Sequence, residues 1–424
     1  MLINMKFIDL FAGLGGFHQG LVNAGGFECV FASEIDESLR EIYANNHGLS
    51  PHGDITKVHE SSVPEHDVLC AGFPCQPFSL AGSKKGAKCP ESGKLINDII
   101  RIAEYRRPNF LMLENVPNVL TIENGSFWHY IKSSFEGLGY KIIHKVISPD
   151  EVGIPQNRKR LFIVGSLDHQ LLDCFEWPLQ KKEKTLEAVI EKKIKRNHKR
   201  LEDGKRLQLE HWQRLLIDCG LKTMPPISLC APEFGATYPL DFHNLRVKDM
   251  QNYKGAYGKS LKDCKSWSEV MMLMPSYVQK NKAAPEWMLE SVEYSRSFYR
   301  KHKRFLNSWH KNLQKENNSW QILEWRGHRD YLNFDRHLIQ FRASGIRIIR
   351  AVRAPSLISM TPTQIPIVGS QMRYLSKHEA AKLQNLHKLK SIPKNDTRAF
   401  KAFGNAVNAK VVELIAKKLI KLQG

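Results

Sequence analysis

The sequence predicts an α/β fold built on a doubly wound, mostly parallel sheet. Three observations carry that expectation. Short apolar runs alternate with helix-period segments through the first 165 residues. A glycine-rich turn follows the first run, as in nucleotide-binding β-α-β units. That part of the chain is nearly neutral, with 16 Lys+Arg against 18 Asp+Glu, as in an ordinary enzyme domain.

The elements follow in order. Residues 5–11 read as a buried parallel strand, 12–16 (Ala-Gly-Leu-Gly-Gly) as the turn and 17–24 as a helix. A second strand over 27–32 ends at Ser33-Glu34-Ile35-Asp36, and apolar positions at helical spacing follow from Leu39 to Tyr43. Strands are predicted near 68–71 and 110–114, with a helix over 95–105 between them. Segments 141–147 and 160–165 close the region. Strands alternating with helices imply a parallel sheet with helices on both faces. After Trp177-Pro178 the composition shifts. Residues 181–206 read as a charge-rich helix with a solvated face. A further helix is predicted over 291–315, and the last part regains pattern in helices over 379–386 and 407–419.

Charge and composition narrow the function. The 424 residues carry a net charge of +20, concentrated beyond residue 165: residues 166–355 hold +13 and residues 356–424 hold +9. Such an excess suits a polyanion, most plausibly nucleic acid. Seven of the eight tryptophans also lie beyond residue 165. The eight cysteines include no C-x-x-C pair, which argues against a zinc ribbon or a thioredoxin-type site, and no metal is expected. No apolar run reaches membrane-spanning length and no signal peptide is read, so a cytoplasmic protein with reduced thiols is expected.

Several segments point to chemistry. In Gly72-Phe73-Pro74-Cys75-Gln76-Pro77-Phe78-Ser79, a cysteine in a proline-stiffened loop follows an apolar strand. Ligands of open α/β sheets gather at that end of a strand, and a thiolate there can serve as a nucleophile. Gly13, Gly15 and Gly16 allow a ligand close to a helix N-terminus, and Glu34 lies where a carboxylate can bind ribose hydroxyls. Asp54 is a candidate for an adenine amino contact. Glu114 ends the strand Phe110–Leu113 and is placed for acid–base work or for hydrogen bonding a base ring. Arg158 and Arg160, two residues apart, would share one face of a strand and could grip carbonyl or phosphate oxygens.

Six segments in this order closely resemble the DNA (cytosine-5) methyltransferase family: Asp9–Gly16, Gly72–Ser79, Glu114-Asn115-Val116, Gln156–Arg160, Arg373–Glu379 and Gly404–Val407. The resemblance covers roughly 5–166 and 350–420. It implies an S-adenosylmethionine-dependent, Rossmann-like catalytic domain in two parts, 1–166 and 351–424. A smaller DNA-recognition domain, 167–350, would be inserted between them.

By the same resemblance, S-adenosylmethionine would be the methyl donor and S-adenosylhomocysteine the product. Phe11, Gly13, Leu14 and Gly16 would line the donor pocket and Glu34 would hold the ribose. Ile35, Asp54 and Ile55 would meet the adenine, and Pro74, Leu95, Asn405 and Val407 would complete the site. Cys75, Glu114, Arg158 and Arg160 would form the catalytic set acting on a cytosine flipped out of duplex DNA. Gln76, Ser79, Lys84 and Lys85 would contact the DNA from a loop. A monomer is expected, with a cognate restriction endonuclease that forms no stable complex with it.

Departures from the family pattern, such as Glu91 before Ser92-Gly93 and Asn408-Ala409-Lys410, touch loop detail only. A tRNA-methylating relative would carry Cys-Phe-Thr; here Cys174-Phe175 is followed by Glu176. A catalytically inactive DNA-binding protein is the remaining alternative. In the basic region Arg326, Arg329, Arg342, Arg347 and Arg350 are candidates for DNA contact.

Overall fold

A computed structural model describes residues 4–74, 94–178, 185–278, 286–313, 318–357 and 364–423. The chain opens with β1 (Met5–Leu10), α1 (Gly16–Ala24), β2 (Phe27–Ser33), α2 (Glu37–His47), β3 (Val68–Gly72), α3 (Lys94–Arg106) and β4 (Phe110–Asn115). Next come α4 (Ser126–Gly137), β5 (Lys141–Ile147), β6 (Gln156–Asn157), β7 (Arg160–Ser166) and α5 (His169–Asp173). The middle holds α6 (Asp203–Asp218), β8 (Ser228–Cys230), α7 (Val247–Met250), α8 (Trp267–Leu273), α9 (Glu286–Trp309), β9 (Ile322–Arg326), β10 (His337–Arg342) and β11 (Gly345–Arg350). The chain ends with β12 (Ala354–Pro355), β13 (Ile367–Val368), β14 (Arg373–Tyr374), α10 (Lys377–Leu383), α11 (Asp396–Asn405) and α12 (Ala409–Gln423).

Two compact units result. The first comprises Met1–Lys192, Val352–Pro362 and Ser376–Gly424; the second comprises Lys193–Ala351 and Thr363–Leu375. The first unit therefore runs past residue 166, and the strands β13 and β14 belong to the second.

The first unit holds a six-stranded sheet in the order β2-β1-β3-β4-β7-β5. The pairs β1–β2, β1–β3 and β3–β4 are parallel, while β7 runs antiparallel to both β4 and β5. Alternating side chains divide between two cores, as strand period requires. Phe7, Val68, Cys70, Phe110 and Met112 pack with α1 and α12 on one face. Ile8, Leu10, Leu69, Ala71, Leu111 and Leu113 pack with α3 and α4 on the other. Strands buried on both faces read as continuous apolar runs, which is why they were visible in the sequence.

The terminal helix packs directly on α1. A β-carbon added at Gly16 would lie 2.5 Å from the Val407 side chain and carbonyl, and one added at Gly20 would lie 2.5 Å from Val412. These two glycines, one turn apart on α1, let the α12 backbone approach.

In the second unit a mixed sheet, β14-β13-β10-β11-β9-β8, packs on α6 and α9. Trp212, Trp309 and Trp325 lie in that core, with Phe298, Leu306, Leu323 and Phe341. A second cluster, including Tyr238, Phe242, Met250 and Val270, gathers around α7 and α8.

The predicted helix over 181–206 is corrected. Residues 181–184 lie outside the described residues, Leu186–Ala188 forms a single 3₁₀ turn, and regular helix begins only at Asp203. Residues 192–200 hold Lys192, Lys193, Lys195, Arg196, Lys199 and Arg200 with a single apolar residue, Ile194. Like charges at helical spacing repel, and a helix without an apolar stripe gains nothing from packing. α6 has that stripe, in Leu209, Trp212, Leu215 and Leu216. The helix predicted over 291–315 forms as α9, displaced toward the N-terminus, and the one predicted from residue 407 begins at Ala409.

Candidate active site

The carboxyl ends of β1 to β4 carry the site residues of the first unit. Beyond β1 the backbone turns sharply: Phe11, Gly13 and Gly15 take φ values of 56°, 54° and 78°. Glycine adopts this left-handed region without a Cβ clash, whereas Phe11 does so under strain. A β-carbon added at Gly13 would meet nothing within 4 Å, so the turn faces open space there. Glu34, just beyond β2, reaches this turn. Its Oε2 accepts from Gly13 N at 2.8 Å and its Oε1 from Asp36 N at 2.9 Å.

Around that opening Ile35 is 72% exposed, whereas Leu14, Ile55 and Val407 are buried. Pro74 and Asn405 are exposed, and Leu95 is half-buried near the start of α3. Asp54 caps a 3₁₀ turn: its Oδ1 accepts from Thr56 N at 3.0 Å and from the Thr56 hydroxyl at 2.8 Å. An open glycine backed by a fixed carboxylate at strand carboxyl ends fits a nucleoside cofactor.

Glu114 lies opposite Gly72 in the parallel β3–β4 register. A β-carbon added at Gly72 would lie 3.8 Å from Glu114 Oε2, an ordinary contact distance. The carboxyl is 6% exposed, and burial raises its pKa above the usual carboxylate range, with Arg160 and then Arg158 opposing that rise. Arg160 Nε stands 3.1 Å from Glu114 Oε1, an ion pair by distance. That oxygen nevertheless has no aligned hydrogen-bond donor among the described residues. The pair is thus electrostatic, and the carboxyl retains hydrogen-bonding capacity.

Arg158 does not share a strand with Arg160. It sits between β6 and β7, because β7 begins only at Arg160. Its guanidinium is buried; Nη2 donates to Ala406 O at 3.1 Å and Nη1 to Ser356 Oγ at 3.5 Å. Burial, the Arg160 charge adding to it, lowers its pKa to about 9. Arg158 therefore ties the turn before α12 to the start of β7, and its charge still bears on Glu114.

Sequence reasoning placed Asn115 in a family segment but gave it no role. Its Nδ2 donates to the carbonyl of Phe73 at 3.1 Å, and its Oδ1 accepts from Val116 N at 2.8 Å. The side chain is buried and anchors the backbone that leads from β3 toward residue 75. A polar amide ending an apolar strand was the available signal. Cys75, Gln76, Ser79, Lys84 and Lys85 lie outside the described residues.

The five candidate arginines of the second unit separate. Arg347 Nε meets Glu324 Oε2 at 2.6 Å, and Arg342 Nη1 lies 3.8 Å from the same oxygen. Arg350 Nε donates to Gly327 O at 3.2 Å, and Arg326 donates to Pro226 O. Arg329 is exposed.

The sheet with its two helical faces has the fold of the S-adenosylmethionine-dependent methyltransferases. Two solved structures share it over 99% of each chain at a TM-score of 0.51. One is a prophage-encoded E. coli chain assigned as a DNA modification methyltransferase, 19% identical; the other is the Entamoeba histolytica methyltransferase EhMeth, 12% identical. A family model for C-5 cytosine-specific DNA methylase matches residues 5–421, and the chain belongs to that family.

Among curated relatives, type II methyltransferase M.MspI of Moraxella sp is 44% identical over 175 residues, 41% of each chain. Type II methyltransferase M.HhaI of Haemophilus parahaemolyticus is 41% identical over 177 residues, 42% of this chain and 54% of the relative. M.SsoII of Shigella sonnei is 37% identical over 215 residues, 50% and 56%. The chain thus spans about half the length of the curated relatives it matches.

Proposed function

We propose that the protein transfers a methyl group from S-adenosylmethionine to carbon 5 of a cytosine flipped out of duplex DNA, as the modification enzyme of a restriction–modification system. The observation that carries this reading is the pairing of buried Glu114 with half-buried Arg160 beside the strand that leads to Cys75. A bound donor supplies an electrophilic methyl and leaves as S-adenosylhomocysteine.

The chain's own residues do the rest. The Cys75 thiolate adds to cytosine carbon 6, forming an S–C bond and an electron-rich carbon 5. Glu114, its pKa raised by burial, donates to ring nitrogen 3 in its protonated form and stabilises the charge that develops there. Arg160 holds the ring carbonyl oxygen and, through its charge, the orientation of Glu114. Arg158 and Asn115 hold the backbones on either side. Once carbon 5 is methylated, its proton passes to water, and the electron pair left behind expels the Cys75 thiolate from carbon 6 and restores the aromatic ring.

Gly13 and Glu34 receive the nucleoside of the donor. Phe11, Leu14, Gly16, Ile35, Asp54, Ile55, Pro74, Leu95, Asn405 and Val407 are its further contacts by family pattern. Gln76, Ser79, Lys84 and Lys85 meet the DNA, and the second unit reads the target sequence.

The test is transfer of labelled methyl to duplex DNA by the wild type and by Cys75→Ser. Transfer should be abolished in the variant, and duplexes containing 5-fluorocytosine should trap only the wild type covalently. Undiminished methylation by Cys75→Ser would refute the covalent route. Transfer to tRNA in place of duplex DNA would refute the substrate.

A further inference from the structure

A buried polar network with no part in the chemistry above stands under the glycine turn. His47, the last residue of α2, places Nε2 3.3 Å from the carbonyl of Leu14. A β-carbon added at Gly15 would lie 2.3 Å from the same nitrogen, so the ring packs directly on the turn. The His47 ring stacks on His18 of α1, with centroids 4.0 Å apart and planes 26° apart. His18 Nδ1 lies 2.8 Å from the Tyr43 hydroxyl, which donates to Asp9 Oδ2 at 3.4 Å. Asp9 also accepts from the backbone N–H of His18 in the first turn of α1.

Leu14 offers only a carbonyl, so His47 must carry its proton on Nε2. With Tyr43 donating to Asp9, His18 donates from Nδ1 to the Tyr43 hydroxyl, which Cys29 Sγ also approaches at 3.7 Å. Both rings are neutral, since burial lowers the pKa of each, that of His18 to about 3. Gly15, the N-cap of α1, has no side chain to satisfy the first-turn N–H groups, and Asp9 supplies the missing acceptor. The turn is therefore held on both sides by α2 and β1 while Gly13 opens to unfilled space.

We propose that His47 is a positioning residue for the methyl donor: with Tyr43 and His18 it holds the Leu14 carbonyl, and so the strained glycine turn, in the shape that receives the donor. This rests on the methyltransferase reading above. A turn held in its binding conformation before the ligand arrives spares the ligand the cost of ordering it. Loss of the network should therefore weaken donor binding and leave the methyl-transfer step and DNA binding unchanged.

The test uses the full-length protein, with calorimetric Kd values for S-adenosylmethionine and S-adenosylhomocysteine and steady-state kcat and KM for donor and DNA. His47→Phe keeps a stacking ring and loses the donated hydrogen bond. It should raise both Kd values and the donor KM about ten-fold at unchanged kcat and DNA KM. His47→Gln, which restores an N–H donor, should recover much of that loss. Tyr43→Phe removes one hydroxyl without changing the packing and should raise the Kd about three-fold; it decides the matter if His47→Phe does not fold.

Wild-type donor affinity in both His47→Phe and Tyr43→Phe would overturn the inference, as would a fall in kcat at unchanged Kd. Failure of the wild type itself to bind S-adenosylmethionine would instead overturn the methyltransferase reading.

Discussion

The two units differ in where they keep their charge and what they do with it. The first holds 32 Lys+Arg against 27 Asp+Glu, a net of +5, and the second holds 31 against 16, a net of +15. In the first unit the informative charges are buried and few: Glu114, Arg158 and Asp9 sit at or near strand ends with their pKa values displaced by burial. In the second most basic side chains are exposed; of its buried charges, Glu233 is balanced locally by Arg296 at 2.9 Å and by the hydroxyls of Tyr238 and Tyr277, Glu324 pairs with Arg347, and Arg373 is also buried. Desolvated charge shifts protons and suits chemistry, whereas solvated charge releases counterions and suits binding to a polyanion.

The sharpest way to break this comparison is to remove the buried acid. Glu114→Gln keeps the size and a hydrogen-bond donor but cannot exchange a proton. We expect kcat to fall by about 10²–10³-fold while DNA binding is retained. The pH dependence follows from the sign of the shift. The folded-state pKa is raised, so the stabilising contribution of protonated Glu114 is complete below the normal carboxylate range and is lost as pH rises through the raised value. Glu114→Gln should remove that loss, so its stability should decline less than that of the wild type as pH rises across this window. A wild-type rate or an unchanged stability–pH profile in the variant would refute the role given to the buried carboxyl.

A second, smaller effect tests how the first unit is closed. An α-helix gains from Gly→Ala by about 1 kcal/mol, but at Gly20 the new methyl would lie 2.8 Å from the carbonyl of Ala409, which cannot step aside without moving α12. Overpacking should outweigh propensity, and Gly20→Ala should destabilise the protein by about 2 kcal/mol in urea unfolding. Stability equal to or above that of the wild type would mean that α12 does not approach α1 this closely.

Legibility in the sequence followed the same divide. The strands of the first unit are buried on both faces, so each is a bare apolar run between turns. The catalytic candidates stand at the ends of those runs. Glu114 could be placed because Phe110–Leu113 reads as a strand. Arg158 could not, because the break between β6 and β7 follows from the pairing of β6 with β12, about 200 residues away, which no local period records. His47 and Asn115 escaped for a related reason. Their roles lie in contacts with Leu14 and Phe73, and no local pattern records those contacts. In the second unit the core depends on Trp212, Trp309 and Trp325 meeting from α6, α9 and β9, which composition reports only as an excess of tryptophan.

The smallest expected effect sharpens the comparison from the side of the second unit. Arg300, Lys301 and Arg304 are exposed on α9, on either side of its non-helical residue His302. If the surplus charge meets DNA phosphates there, each side chain displaces about one counterion. Replacing all three by glutamine should then reduce the slope of log K against log[salt] for duplex binding by about 2–3, with little discrimination between sequences. The rate at saturating DNA should stay at the wild-type value, since none of the three belongs to the catalytic edge. Fluorescence anisotropy across a salt series measures the slope. An unchanged slope would show that the phosphates lie against another face of the second unit. A lower saturated rate with an unchanged slope would mean that the division of labour between the two units is wrong.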